Sequence, residues 1–191
     1  MKFNKNKVSF GRHETFPLRY SWLTKGFQKI VENPEIFSSD EATIELGVGR
    51  NMVNSIRFWL LASKLIKISN NKYQPTEIGN LIFDVKNGLD PFLEDEATIW
   101  LIHWLISTNP EIATAWFWFF NRFHKPEFSI EESALSLIEF ANQSIHSKYA
   151  STTLKGDIAI LLRMYSRSRG NTRTSLEDAL DSPLSLLRLI S

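Results

Sequence analysis

Apolar residues recur three and four positions apart along most of the chain, a spacing that predicts helices. The first predicted helix runs from Phe16 to Glu32, with Thr15 as its cap and Pro17 in its first turn. Ser38 or Ser39 caps a short helix ending at Leu46, and another helix spans Arg50–Lys64. A small hairpin is expected near Ile66–Gln74, turning at Asn70-Asn71, where positive φ is tolerated. A helix then covers Thr76–Val85. Four more are predicted at Asp95–Thr108, Pro110–Phe123, Ile130–Ile145 and Thr152–Ser166. Asn87-Gly88-Leu89-Asp90-Pro91 is the strongest turn signal and separates residues 1–88 from 89–191.

The most informative stretch is Gly47-Val48-Gly49-Arg50-Asn51-Met52-Val53-Asn54-Ser55-Ile56-Arg57-Phe58-Trp59-Leu60. A glycine after a short helix supplies the left-handed conformation that side chains resist. In the helix that follows, Met52, Val53, Ile56, Trp59 and Leu60 share an arc of about 120° that must face a core. Arg50, Asn51, Asn54 and Arg57 line the opposite arc. Arg pairs bidentately with guanine and Asn with adenine, so this face suits a DNA groove. Lys67 and Lys72 fall on the hairpin at the height of the phosphates. Phe58 and Leu61 also lie on the polar arc, which implies that another element, such as the acidic half, covers its C-terminal end. The order of elements resembles a winged helix-turn-helix domain over residues 16–86. The same pattern also occurs in modules that bind only protein.

Charge supports a division of labour. The total is +1, but residues 1–75 carry 12 Lys/Arg against 6 Asp/Glu, and residues 76–150 carry 4 against 11. A basic first part suits a polyanion, whose condensed counterions Lys and Arg release. The absence of cysteine excludes disulfides, thiolate nucleophiles and Cys-ligated metals. Apolar runs such as Ile99–Ile106, broken by His103, and Ala115–Phe120 are far shorter than the ~20 residues of a spanning helix. MKFNKNKVSF has no apolar segment of a secretory signal, so a cytoplasmic location and no membrane contact are expected.

Longer motifs point further. They are Phe10-Gly11-Arg12-His13-Glu14-Thr15-Phe16-Pro17-Leu18-Arg19-Tyr20-Ser21-Trp22-Leu23, Leu46-Gly47-Val48-Gly49-Arg50-Asn51-Met52-Val53, Asp90-Pro91-Phe92-Leu93-Glu94-Asp95, Trp100-Leu101-Ile102-His103-Trp104 and Thr153-Leu154-Lys155-Gly156-Asp157. With these, the chain resembles the bacterial domain-of-unknown-function family numbered four thousand and seven, from about residue 10 to 190. The resemblance implies a place beside DNA phosphorothioation and phage-defence genes, including a sulfur-transfer enzyme. It implies no catalytic residues. Members usually continue past the position of Ser191, and they usually carry a larger residue where Gly156 stands.

Other constellations are weaker. Arg12, His13 and Arg19 beside a helix start form a candidate phosphate or anion site; the alternative is that His13 and Glu14 bond locally and lock the N-terminal arm down. Lys2, Lys5, Lys7 and Arg12 on that arm could instead follow the DNA backbone or minor groove. His13, His103, His124 and His146 show no metal-ligand spacing, so neither a metal nor a cofactor is expected. His103 reads as a packed histidine. Trp100, Trp104, Trp116, Trp118, Phe117, Phe119 and Phe120 suit either a stacking platform for bases or, preferably, a helical core that could include a homodimer contact. Glu94-Asp95-Glu96 and Glu131-Glu132 suit helix starts. Arg163, Arg167, Arg169 and Arg173 form a basic segment that is either a phosphate contact or a solvated connection.

The expected fold class is therefore mainly α: an N-terminal winged helix-turn-helix with a small β-hairpin over residues 1–88, then a helical domain over 89–191. The expected function is that of a DNA-binding accessory or regulatory protein of a phosphorothioation or phage-defence system, not an enzyme, with double-stranded DNA as partner. The alternative is an adaptor that docks a sulfur-transfer enzyme or nuclease through its aromatic half.

Overall fold

The computed structural model describes residues 3–166 and 182–191. Its described elements are α1 (Tyr20–Glu32), α2 (Ala42–Leu46), α3 (Arg50–Ala62), β1 (Ile66–Ser69), β2 (Lys72–Pro75), α4 (Glu77–Phe83), α5 (Glu96–Ser107), α6 (Thr114–Arg122), α7 (Ile130–Ser144) and α8 (Ser151–Tyr165). Short 3-10 turns cover Ile36–Ser38 and Pro183–Leu187. The protein is mainly helical, with one small antiparallel hairpin. No described helix is long and apolar enough to cross a membrane.

Helix α1 begins four residues later than its apolar spacing predicts. Glu14 and Thr15 both have positive φ (52° and 64°), so the chain cannot be helical there, and Pro17 pushes Phe16 out of the helical region. Thr15 therefore caps nothing; its N–H donates to His13 Nδ1 at 3.1 Å. The Phe16 carbonyl instead accepts from Trp59 Nε1 at 3.2 Å, fixing this turn against α3. From Tyr20 onward, Trp22, Leu23, Phe27 and Ile30 form the buried stripe. Gly26 lets α1 and α3 touch closely, because a Cβ there would lie 2.6 Å from Ile56 Cγ2.

The turn between α2 and α3 is built as the glycine predicts: Gly47 closes α2 with φ 60°. Ser39 contributes less than expected, since its hydroxyl accepts from Glu41 N–H while α2 itself has no side-chain cap. The hairpin turns through Asn70 and Asn71, both left-handed (φ 52° and 59°). Its register pairs Ile66 with Pro75 and Ser69 with Lys72. Thr76 caps α4 by accepting from Gly79 N–H at 3.1 Å.

The C-terminal half of α3 is enclosed on several sides, as Phe58 and Leu61 require. Phe58, Trp59, Leu60 and Ala62 are buried. Trp116 of α6 packs edge-on against Trp59, with ring centroids 5.1 Å apart. Asn109 donates to the carbonyls of Leu61 and Ala62 at 3.1 and 2.9 Å, occupying acceptors that a helix end otherwise leaves to water. Lys64 reaches the Thr108 carbonyl, at the C-terminus of α5, at 2.9 Å.

In the second half, Asp95 caps α5 and a Ser129/Glu132 capping box opens α7, so both acidic clusters serve helix starts. Helix α6 starts at Thr114 rather than Pro110. The Thr114 hydroxyl donates to the Pro110 carbonyl and accepts from Ser9 N–H, which holds the preceding residues in a turn.

Candidate nucleic-acid interface

Helix α3 divides lengthwise. From Phe58 onward it is mostly packed, whereas one side of the helix from Arg50 to Arg57 reaches water. Arg50 and Asn51 are exposed, and Asn54 and Arg57 lie half-buried along the same face. Val53 and Ile56 point the other way into the core. A cleft of about 420 Å³ separates this face from the loop before α2 and is lined by Ser38, Ser39, Asp40, Arg50, Asn54 and Arg57.

The hairpin stands beside this cleft. Directly opposed residues of an antiparallel pair share a face, so Lys67, Gln74, Ser69 and Lys72 lie on one side and Ile66, Ile68, Tyr73 and Pro75 on the other. Tyr73 packs edge-on against Phe37 and its hydroxyl lies 3.4 Å from Arg57 Nη1, tying the hairpin to α3. Both predicted hairpin lysines are exposed.

Two of the six residues assigned to DNA already hold carboxylates. Arg50 Nη2 is 3.6 Å from Asp40 Oδ1, and Lys72 Nζ is 2.9 Å from Glu35 Oε1. The Glu35 hydrogen bond raises the Lys72 pKa, and Lys72 in turn lowers that of Glu35. Lys67 has no ion-pair partner among the described residues. Three contributors leave no trace in the local spacing: Tyr73, Glu35 and Asp40. Their link to the face is tertiary.

The second predicted site comes apart. Arg12 is exposed and Arg19 lies over the Trp22 ring at 5.3 Å. His13, however, is buried and is not available to an anion. Its Nδ1 accepts from Thr15 N–H, so its Nε2 carries the proton and donates to Asp157 Oδ1 at 3.0 Å. Burial pushes the Asp157 carboxyl up, opposed by the hydrogen bonds from His13 and Gly11. The arm is packed onto the protein on its apolar side: Phe3 stacks on Phe117, Phe10 packs on Tyr149, and Gly11 N–H donates to Asp157 at 2.8 Å, while Lys5, Lys7 and Arg12 are exposed and Lys2 lies outside the described residues.

Among the aromatics, Trp116, Trp118, Phe117 and Phe119 are buried as a core block. Trp100 and Trp104 are not core; they are 44% and 60% exposed, one turn apart on α5. His103 is half-buried against Trp100, Phe120 and Tyr165, 2.8 Å from the Tyr165 hydroxyl, and burial pushes its pKa down to about 4. Arg163 is exposed on α8, while Arg167, Arg169 and Arg173 lie outside the described residues.

The family model described as "Protein of unknown function (DUF4007)" matches residues 10–191. The chain belongs to this family. Two solved structures resemble it at 29% identity: "Magnesium ion-bound SspB crystal structure", with a TM-score of 0.84 over 94% of this chain, and "SspB crystal structure", with 0.82 over 95%. The chain spans 55% and 56% of those two chains, a little over half their length. Among curated proteins none matches. A Cβ at Gly156 would have nothing within 4 Å.

Proposed function

We propose that the chain is a DNA-binding accessory or regulatory protein of a DNA phosphorothioation and phage-defence system, and that α2, α3 and the hairpin act as a winged helix-turn-helix. The observation that carries this reading is the lengthwise division of α3, which leaves Arg50, Asn51, Asn54 and Arg57 on its open face while the opposite face and the C-terminal turns are packed. With the first turns of α3 in the major groove, the two arginines and two asparagines meet base edges. Lys67 and Lys72 then touch phosphates from the hairpin. The family and the SspB neighbours support the biological setting.

The magnesium ion belongs to the SspB structure named for it. Among the described residues here, no three His, Asp or Glu side chains come together as a metal site, so none is assigned as a magnesium ligand. A salt-titrated mobility shift with plain and phosphorothioate duplexes tests the proposal. Retardation that weakens as salt rises is expected, and no retardation of either duplex at low salt overturns it.

One observation favours a second reading, a protein-interaction adaptor. Trp100 and Trp104 present indole rings to solvent on α5, beside the exposed carboxylates of Glu94, Asp95 and Glu96. Co-purification with a sulfur-transfer enzyme or nuclease, combined with no DNA retardation, would select it.

A further inference from the structure

We propose that Asp40 and Glu35 are built-in competitors for the nucleic acid: carboxylates that hold Arg50 and Lys72 in the free protein and that DNA phosphates must displace, an inference resting on the DNA-binding reading of this face.

Both carboxylates come from one short stretch. Between Asn33 and Gly49 the chain carries Glu35, Asp40, Glu41 and Glu45 and no lysine or arginine. This acidic edge runs along the rim of the basic face. Asp40 lines the same cleft as Arg50, Asn54 and Arg57, so a phosphate entering there meets a like charge beside its cation. Lys29 is occupied in the same way, by Glu45 at 2.8 Å and Glu32 at 3.0 Å.

These contacts are poor structural braces. The Arg50 and Asp40 side chains are 82% and 97% exposed, and pairs so open to water and salt contribute little to stability. The same exposure leaves both cations free to change partner. Exchange of a carboxylate for a phosphate yields less than capture of a phosphate by an unpaired cation, and the released carboxylate then repels the backbone. The acidic edge therefore lowers the sequence-independent part of the affinity. Contacts of Asn51 and Asn54 with base edges are untouched, so base readout carries a larger share of binding.

The test uses the full chain and a labelled mixed-sequence DNA duplex, with fluorescence anisotropy measured across a salt series. Four proteins are compared with the unmodified chain: Asp40→Asn, Glu35→Gln, the double variant, and Glu131→Gln on α7 as a control with the same change in net charge as either single variant. Each neutralised competitor should tighten binding about threefold at low salt, and the pair about tenfold, with the gain shrinking as salt rises. The control should bind like the unmodified chain. If the unmodified chain binds but Asp40→Asn and Glu35→Gln match the control, the competitors are refuted and the DNA-binding reading stands. Weaker binding by Asp40→Asn would make it a positioning residue for Arg50 and also overturns the inference. If no protein in the set binds the duplex, both readings fall.

Discussion

His13 Nε2 lies 3.0 Å from Asp157 Oδ1, joining two buried side chains that are 144 residues apart in the chain. His13 is also packed among the rings of Phe58, Trp59 and Trp116, so the end of the N-terminal arm, α3, α6 and α8 meet at one point. His13→Ala would leave a buried carboxylate with only the Gly11 N–H and a void among three rings. A loss of about 3 kcal/mol in urea unfolding is expected. A loss below about 1 kcal/mol would show that the contact does not hold the arm.

The two groups of tryptophans should separate cleanly in stability. Trp116→Ala removes a fully buried ring from the contact with Trp59 and should cost about 3–5 kcal/mol. Trp104→Ala removes a ring that is mostly in water and should cost under about 1 kcal/mol. Equal costs in thermal or urea unfolding would mean that Trp104 is covered in solution, which would favour a docking or self-association role for α5.

The local elements were the most legible in the amino-acid order. The Asn70-Asn71 turn, the left-handed Gly47 and the sealed end of α3 beneath Phe58 and Leu61 follow from backbone tolerance and helical spacing, which act over a few residues. The start of α1 did not, because left-handed Glu14 and Thr15 sit between His13 and Phe16, which Asp157 and Trp59 hold from across the fold. The exposure of Trp100 and Trp104 was hidden for another reason. Helix α5 is apolar nearly all round, so its spacing does not say which face stays bare. Long-range partners such as Asp157 for His13, and Glu35 for Lys72, leave no periodic trace at all.

Stability should depend on pH through His103. Burial lowers its pKa from 6.5 to about 4, so between those values the unfolded chain binds a proton that the folded chain refuses. The stability this group contributes is complete above about pH 6.5 and is lost as pH falls toward 4. Allowing for partial exposure, the loss is about 1–2 kcal/mol. His103→Gln retains a hydrogen-bonding group for the Tyr165 hydroxyl but has no titration in this range. Its urea midpoint should therefore fall less than that of the unmodified chain between about pH 7.5 and about pH 4.5. An identical fall in both proteins contradicts the assignment.

The most direct measurement of the central claim is the salt dependence of duplex binding by the unmodified chain beside Arg50→Glu, Arg57→Glu and Lys67→Ala. If the open face of α3 and the hairpin meet DNA, the two reversals abolish binding. Lys67→Ala then weakens it on every sequence and reduces the slope of log K against log salt by about 1. Affinity and slope unchanged in all three variants would place the DNA elsewhere, or show that this face does not bind it.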